Sequence, residues 1–186
     1  MTSKFGQKWG IVIVLLLALL LMGGFAATQL HFTDGILAVP LDDAWIHYQY
    51  ARNLSQGDGF SYVPGVPTAG STAPLWTLLL AGIGLFTTDF LLPSLLLSGG
   101  LFLLTIWLTY QLALSVTGRW GLALTAAFAV AITGRLLWAS LSAMEVTLFT
   151  SLSLAAVWAY QKRGMDGLTA VLFGLASQTR PEGHLL

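Results

Sequence analysis

Two adjacent carboxylates, Asp42 and Asp43, stand out in a chain with only eight acids among 186 residues. Like charges side by side repel, so the pair needs a reason. One reason is the capping of a helix that begins here, which either aspartate alone would satisfy. The other is a general base, or an electrostatic partner, for a substrate hydroxyl. His47 lies four residues beyond Asp43, close enough on a helix for the two to interact. Arg52 could hold a phosphate or anchor its segment to anionic lipid. Glu145 lies between two apolar stretches, either as a functional intramembrane acid or in a turn at the water boundary. Arg180-Pro181-Glu182 interrupts a further apolar run. Pro181 breaks the helical pattern there, and the two charges could pair or line a cavity. His31, His47 and His184 show no metal-ligand spacing, so no metal-ligating residue is assigned.

The elements that must position these residues are apolar helices. Hydrophobic residues make up 56% of the chain and charged residues 9%, with a mean hydropathy of +0.78. Soluble domains carry about 25% charged residues, so a soluble enzyme and a disordered chain are both excluded. Eight basic residues balance eight acidic ones, leaving no positive field for nucleic acid. The absence of cysteine excludes disulfide scaffolds and thiol nucleophiles. The fold class expected is all-α, a polytopic transmembrane bundle.

The charge-free gaps mark the helices. The first span covers about 9–30, behind Lys4 and Lys8, whose charge places the N-terminus in the cytoplasm. A cleaved signal peptide ending near Gly24-Phe25-Ala26 is the competing interpretation. Residues 31–73 hold four acids, one base and three prolines, and read as an extracytoplasmic loop. Within it Leu41–Ser55 has helical spacing, and Gly57-Asp58-Gly59 ends the helix. Trp45, Tyr48 and Arg52 fall on one face; Asp43, His47 and Tyr50 share another stripe. Pro64–Pro74 is read as irregular. Further helices are expected near 74–88, 91–116, 120–140, 146–161 and 167–178. Lys162 and Arg163 should be cytoplasmic, which requires an odd number of crossings after residue 73. One of the four helices between must therefore be short or re-entrant, and 120–140, interrupted by Arg135, is the one chosen. Trp76, Trp107, Trp120, Trp138, Trp158 and Tyr160 are read as interfacial anchors.

The order of these features resembles a known family. One span is followed by LDDAWIHYQYARNLSQGDGFSYVPGVPTAGSTAPLW, then by SAMEVTLF, then by QTRPEG. This is similar to the N-terminal module of the polytopic GT-C membrane glycosyltransferases, of the arabinofuranosyltransferase-like and protein-mannosyltransferase-like kind. The likeness covers roughly residues 9–186 and is most specific over 41–76. It implies an enzyme that moves a sugar from a polyprenyl-phosphate donor to a hydroxyl acceptor, such as a cell-envelope glycan, lipid or protein. The reaction would take place at the outer face of the plasma membrane. It implies Asp42 as catalytic base with Asp43 second, Glu145 as the second acidic position, and Arg180-Pro181-Glu182 as the late cation–proline segment. Relatives that carry a lysine before the second span differ from this chain, which has Ser71-Thr72-Ala73-Pro74 there. Donor phosphate would then fall to Arg52, Arg180 or a divalent cation, with His47 among the substrate-contacting side chains. Residues 1–186 would form the N-terminal part of such a module, inactive alone if the chain is a fragment. The alternative function is a transporter or flippase subunit whose Glu145 and Arg180 line a path.

Overall fold

The computed structural model describes residues 4–185. Eight α-helices and one small hairpin are found among them. Helix α1 (Lys4–Phe32) is almost uninterrupted Ile, Val, Leu and Ala over its middle, and α2 is Asp43–Gln56. Strands β1 (Ser61–Val63) and β2 (Val66–Pro67) pair antiparallel. Then come α3 (Pro74–Gly84), α4 (Leu91–Thr117), α5 (Trp120–Ala131), α6 (Gly134–Ser140), α7 (Val146–Arg163) and α8 (Gly167–Ser177). A single 3₁₀ turn, Pro181–Leu185, follows.

Among the described residues, two helices are long and apolar enough to cross a bilayer, Lys8–Phe32 and Leu91–Thr117. Helices α5 and α6 meet at a bend of 62° and would make a third span if counted together. The break falls at Ile132 and Thr133, just before Arg135. Helices α3 and α8 have 11 residues each. At about 1.5 Å per residue they reach little more than half of a ~30 Å hydrocarbon core. The helix starting at Pro74 is thus shorter than its apolar sequence suggests, because Leu85 to Phe90 turn the chain into α4.

Residues 61–67 correct the irregular reading of the Pro- and Gly-rich segment. Pro64-Gly65 forms the turn, with Gly65 at φ +74, a conformation that costs glycine little. The hairpin is held from α2. Buried Asn53 donates through Nδ2 to the carbonyls of Ser61 (2.9 Å) and Tyr62 (3.0 Å). Gly57, at φ +88, ends α2 with its N–H on Asn53 and Leu54 carbonyls.

Two apolar clusters hold the helices together. In one, Val14 and Ala18 of α1 meet Phe102, Ile106 and Tyr110 of α4 and the alanine stripe Ala123, Ala127, Ala131 of α5. In the other, Tyr48 and Ala51 of α2 meet Trp76 and Leu80 of α3, Phe90, and Leu148 of α7. Trp76 is fully buried, so it is a core residue and not an interfacial anchor. Tyr48 is buried as well. It stacks on Phe90 at 5.7 Å and shares a hydrogen bond with Ser94 of α4. These contacts bind α2 to the helical body as a structural element, with His47 on its inner side.

Candidate functional site

Glu145 ends the turn between α6 and α7 and is 5% exposed. Two features hold it in place. Ala143 sits in the left-handed region at φ +56, a conformation worth about 1–2 kcal/mol of strain for a non-glycine residue. The Met144 carbonyl lies 3.5 Å from the Ser98 hydroxyl of α4. The Glu145 main chain starts α7, its carbonyl accepting from Phe149, but its carboxylate makes no capping bond. The side chain is therefore free for other work. Its Oε2 is buried without a hydrogen-bond partner.

Three charged or ionisable groups gather around it. His47 Nε2 lies 3.7 Å from Oε2, and Arg180 Nη1 lies 3.7 Å from Oε1. These are ion-pair distances, longer than hydrogen bonds. Arg180 also reaches Glu182, from Nε to Oε2 and from Nη2 to Oε1, both at 3.3 Å. The sequence brings them together from three distant segments. His47 is on the buried face of α2, and Arg180 and Glu182 are in the turn after α8. That turn is docked tightly: a Cβ on Gly183 would lie 2.6 Å from the Ala176 carbonyl oxygen. The Leu75 N–H donates to the Gln178 carbonyl at 2.9 Å, tying the start of α3 to the end of α8.

His47 has a second polar neighbour. Its Nδ1 is 3.5 Å from the Thr77 hydroxyl, which is 2.9 Å from the Ser71 hydroxyl. Burial holds the imidazole below its ordinary 6.5, against the opposing pull of Glu145 and then Asp43. The ring is therefore neutral at pH 7. The tautomer that satisfies both sides has Thr77 donating to Nδ1 and Nε2–H facing the carboxylate. Glu145 is thus countered by one full positive charge, Arg180, which is itself shared with Glu182.

A cavity of about 270 Å³ opens on this cluster, lined by Thr72, Glu145, Arg180, Pro181 and Glu182. Thr72 and the Ser71–Thr77 pair are polar members that spacing alone does not single out. The only sequence signal for them is the Gly-Ser-Thr run before Pro74. The other expected site residues lie elsewhere. Asp42 and Asp43 are exposed at the start of α2, with no side-chain cap from Asp42. Neither lines this cavity, although the charge of Asp43 reaches His47. Arg52 is exposed on the far half of α2, its guanidinium 5.9 Å above the Phe90 ring. Among the described residues no three His, Asp or Glu side chains converge as a metal ion would need. The cation that faces Glu145 is Arg180, so this donor set does not fit a resident metal.

A buried carboxylate fixed between an imidazole and a guanidinium can orient hydroxyl groups or stabilise developing positive charge. The guanidinium beside it can meet a phosphate. Compared with family models, curated proteins and solved structures, the chain matches none.

Proposed function

We propose that this protein is a membrane glycosyltransferase of GT-C type, drawing sugar from a polyprenyl-phosphate donor at the outer face of the membrane. The observation that carries the proposal is the convergence of His47, Glu145 and Arg180 in one buried cluster, on which a polar cavity opens. They come from three segments 98 and 35 residues apart, in a chain with two helices apolar enough to cross a bilayer. These are three of the motifs that the resemblance joins.

In this scheme an acceptor hydroxyl attacks the sugar's anomeric carbon. The hydroxyl proton passes by way of water to the acidic pair Asp42–Asp43, which is exposed and stands outside the cavity. The C1–O bond to phosphate breaks, and its electron pair leaves with the polyprenyl phosphate. Arg180 stands where that charge develops. Glu145 holds sugar hydroxyls, and neutral His47 fixes its orientation. The family implies inversion at the anomeric carbon.

Membranes expressing the gene are supplied with a panel of polyprenyl-phosphate mannose, glucose and arabinofuranose. Transfer should occur with at least one sugar. Asp42→Asn, Asp43→Asn or both should lower it by about 10²–10⁴-fold, as should Glu145→Gln. Equal transfer in the Asp42→Asn/Asp43→Asn double variant and in wild type would end the assignment of the base. No difference between wild type, Glu145→Gln and empty membranes would end the enzyme reading.

The flippase reading has one observation in its favour, the 62° break between α5 and α6 beside Arg135. Discontinuous helices are a transporter feature. It predicts movement of a lipid-linked sugar across proteoliposomes without any change in its glycosidic bond.

A further inference from the structure

Arg180 lines a second cavity besides the polar one. It has about 590 Å³ and is walled by Arg135, Leu136, Trp138, Ala139 and Val146. Trp138 in turn lines a third, of about 440 Å³, between the end of α1 and the segment before α2, where Phe25, Phe32, Val39 and Pro40 face it. Arg180 and Trp138 each line two of these spaces, so the three are neighbours: a polar chamber, a space with two guanidinium groups, and an apolar groove.

The groove is apolar in fact as well as in composition. Its three polar side chains are occupied by backbone: Thr28 donates to the Gly24 carbonyl (2.8 Å), Gln29 to Ala38 (2.5 Å) and Thr33 to Ile36 (2.6 Å). Arg135, by contrast, is exposed and has no ion-pair or hydrogen-bond partner among the described residues. An unneutralised cation in the cavity next to an apolar groove, with Trp138 lining both, matches an anion that carries a long hydrocarbon tail.

We propose that Arg135 and Arg180 together hold the phosphate of a polyprenyl monophosphate, whose tail passes Trp138 into the groove along α1. Exposed Glu182 occupies Arg180 until the phosphate displaces it. The choice of occupant rests on the glycosyltransferase reading; the binding site itself does not. The polar chamber then lies on the side of the phosphate away from the tail, where a linked sugar would meet Glu145. Arg135 is a binding residue that no motif in the sequence indicates.

The test measures binding apart from transfer. The full chain in phosphatidylcholine nanodiscs is titrated with undecaprenyl phosphate, undecaprenol, inorganic phosphate and phosphatidylglycerol, and bound ligand is counted by native mass spectrometry. Undecaprenyl phosphate should bind at least about tenfold more tightly than each of the other three: undecaprenol lacks the anion, inorganic phosphate lacks the tail, and phosphatidylglycerol offers a singly charged phosphodiester on two acyl chains in place of a phosphomonoester on one polyisoprenyl tail. Arg135→Gln should weaken it by about tenfold and Arg135→Lys by less. Glu182→Gln should tighten it by removing the competitor for Arg180. Equal binding by wild type and Arg135→Gln would overturn the site, as would equal affinity for phosphatidylglycerol or undecaprenol. Arg135-dependent binding in a chain that transfers no sugar would uphold the site and reject the proposed function.

Discussion

Replacing Arg180 with Met keeps length and apolar bulk and removes the one full positive charge facing Glu145. The magnitude follows from the geometry. Opposite unit charges 3.7 Å apart attract by about 1 kcal/mol in water and about 4–5 kcal/mol at an effective dielectric of ~20. Arg180 is 34% exposed and Glu145 is almost closed off, so solvent screening takes the coupling down to roughly 1–3 kcal/mol. Stripping Glu145 of its partner also leaves an uncompensated buried charge, which adds to the loss in the single variant. The assay is a double-mutant cycle with Glu145→Gln, read by thermal unfolding in detergent. For a chain of this size, each kcal/mol corresponds to roughly 2–4 °C. Arg180→Met should therefore lower the midpoint by several degrees, and the addition of Glu145→Gln should restore most of that. Simple additivity of the two single losses would show that the pair is not coupled and would remove the electrostatic basis of the site.

Three further outcomes are expected. His47 is neutral in the fold and protonates below its ordinary 6.5, so the unfolded chain binds more protons over the window just beneath 6.5. Stability should fall as pH drops through that window, and His47→Gln should flatten the slope in melting curves taken between about pH 5 and 8. Gly183→Ala puts a methyl group 2.6–2.8 Å from Ala176 and Ser177 backbone. It should shift the 3₁₀ turn and erase the Arg180–Glu145 coupling in the same double-mutant cycle, although neither charge is touched. Asn53→Ala removes two donors from the hairpin carbonyls, at a cost of about 1–3 kcal/mol if both stay buried. It should speed amide exchange across Ser61–Thr68 with little change in α4.

The helices were legible because their signal is local. The long charge-free runs of α1, α4 and α8, and the Gly57-Asp58-Gly59 stop after α2, mark elements that form with boundaries close to those expected. The length of α3 was not legible. Its apolar run continues to residue 86, and only the chain's need to reach Phe90, which packs against Tyr48 and lies beneath Arg52, ends it at Gly84. The hairpin was hidden because its strands are two and three residues long and are held from outside by Asn53. Trp76 looked like an anchor by type, and its burial is set by α2 packing over it. In each case the deciding contact comes from a residue distant in sequence.

The site divides in the same way. His47, Glu145, Arg180 and Glu182 each drew attention by being charged or ionisable where such residues are scarce, and the fold places all four in one cluster. Asp42 and Asp43 drew attention by adjacency, and they lie outside the cavity. Those two observations need not conflict. An acid that must stay charged beside a cation is served by burial against a fixed partner, as Glu145 is by Arg180. An acid that must take up and release a proton in each cycle is served by contact with water and by freedom from a fixed partner. The latter describes the exposed pair at the start of α2. Asp43 acts on the buried cluster through its field at His47, so replacing it with Asn should lower the His47 protonation midpoint further. NMR titration of that imidazole would show this. An unmoved midpoint would place the acidic pair outside the electrostatic reach of the cavity and leave Glu145 and Glu182, which line it, as the carboxylates able to serve there.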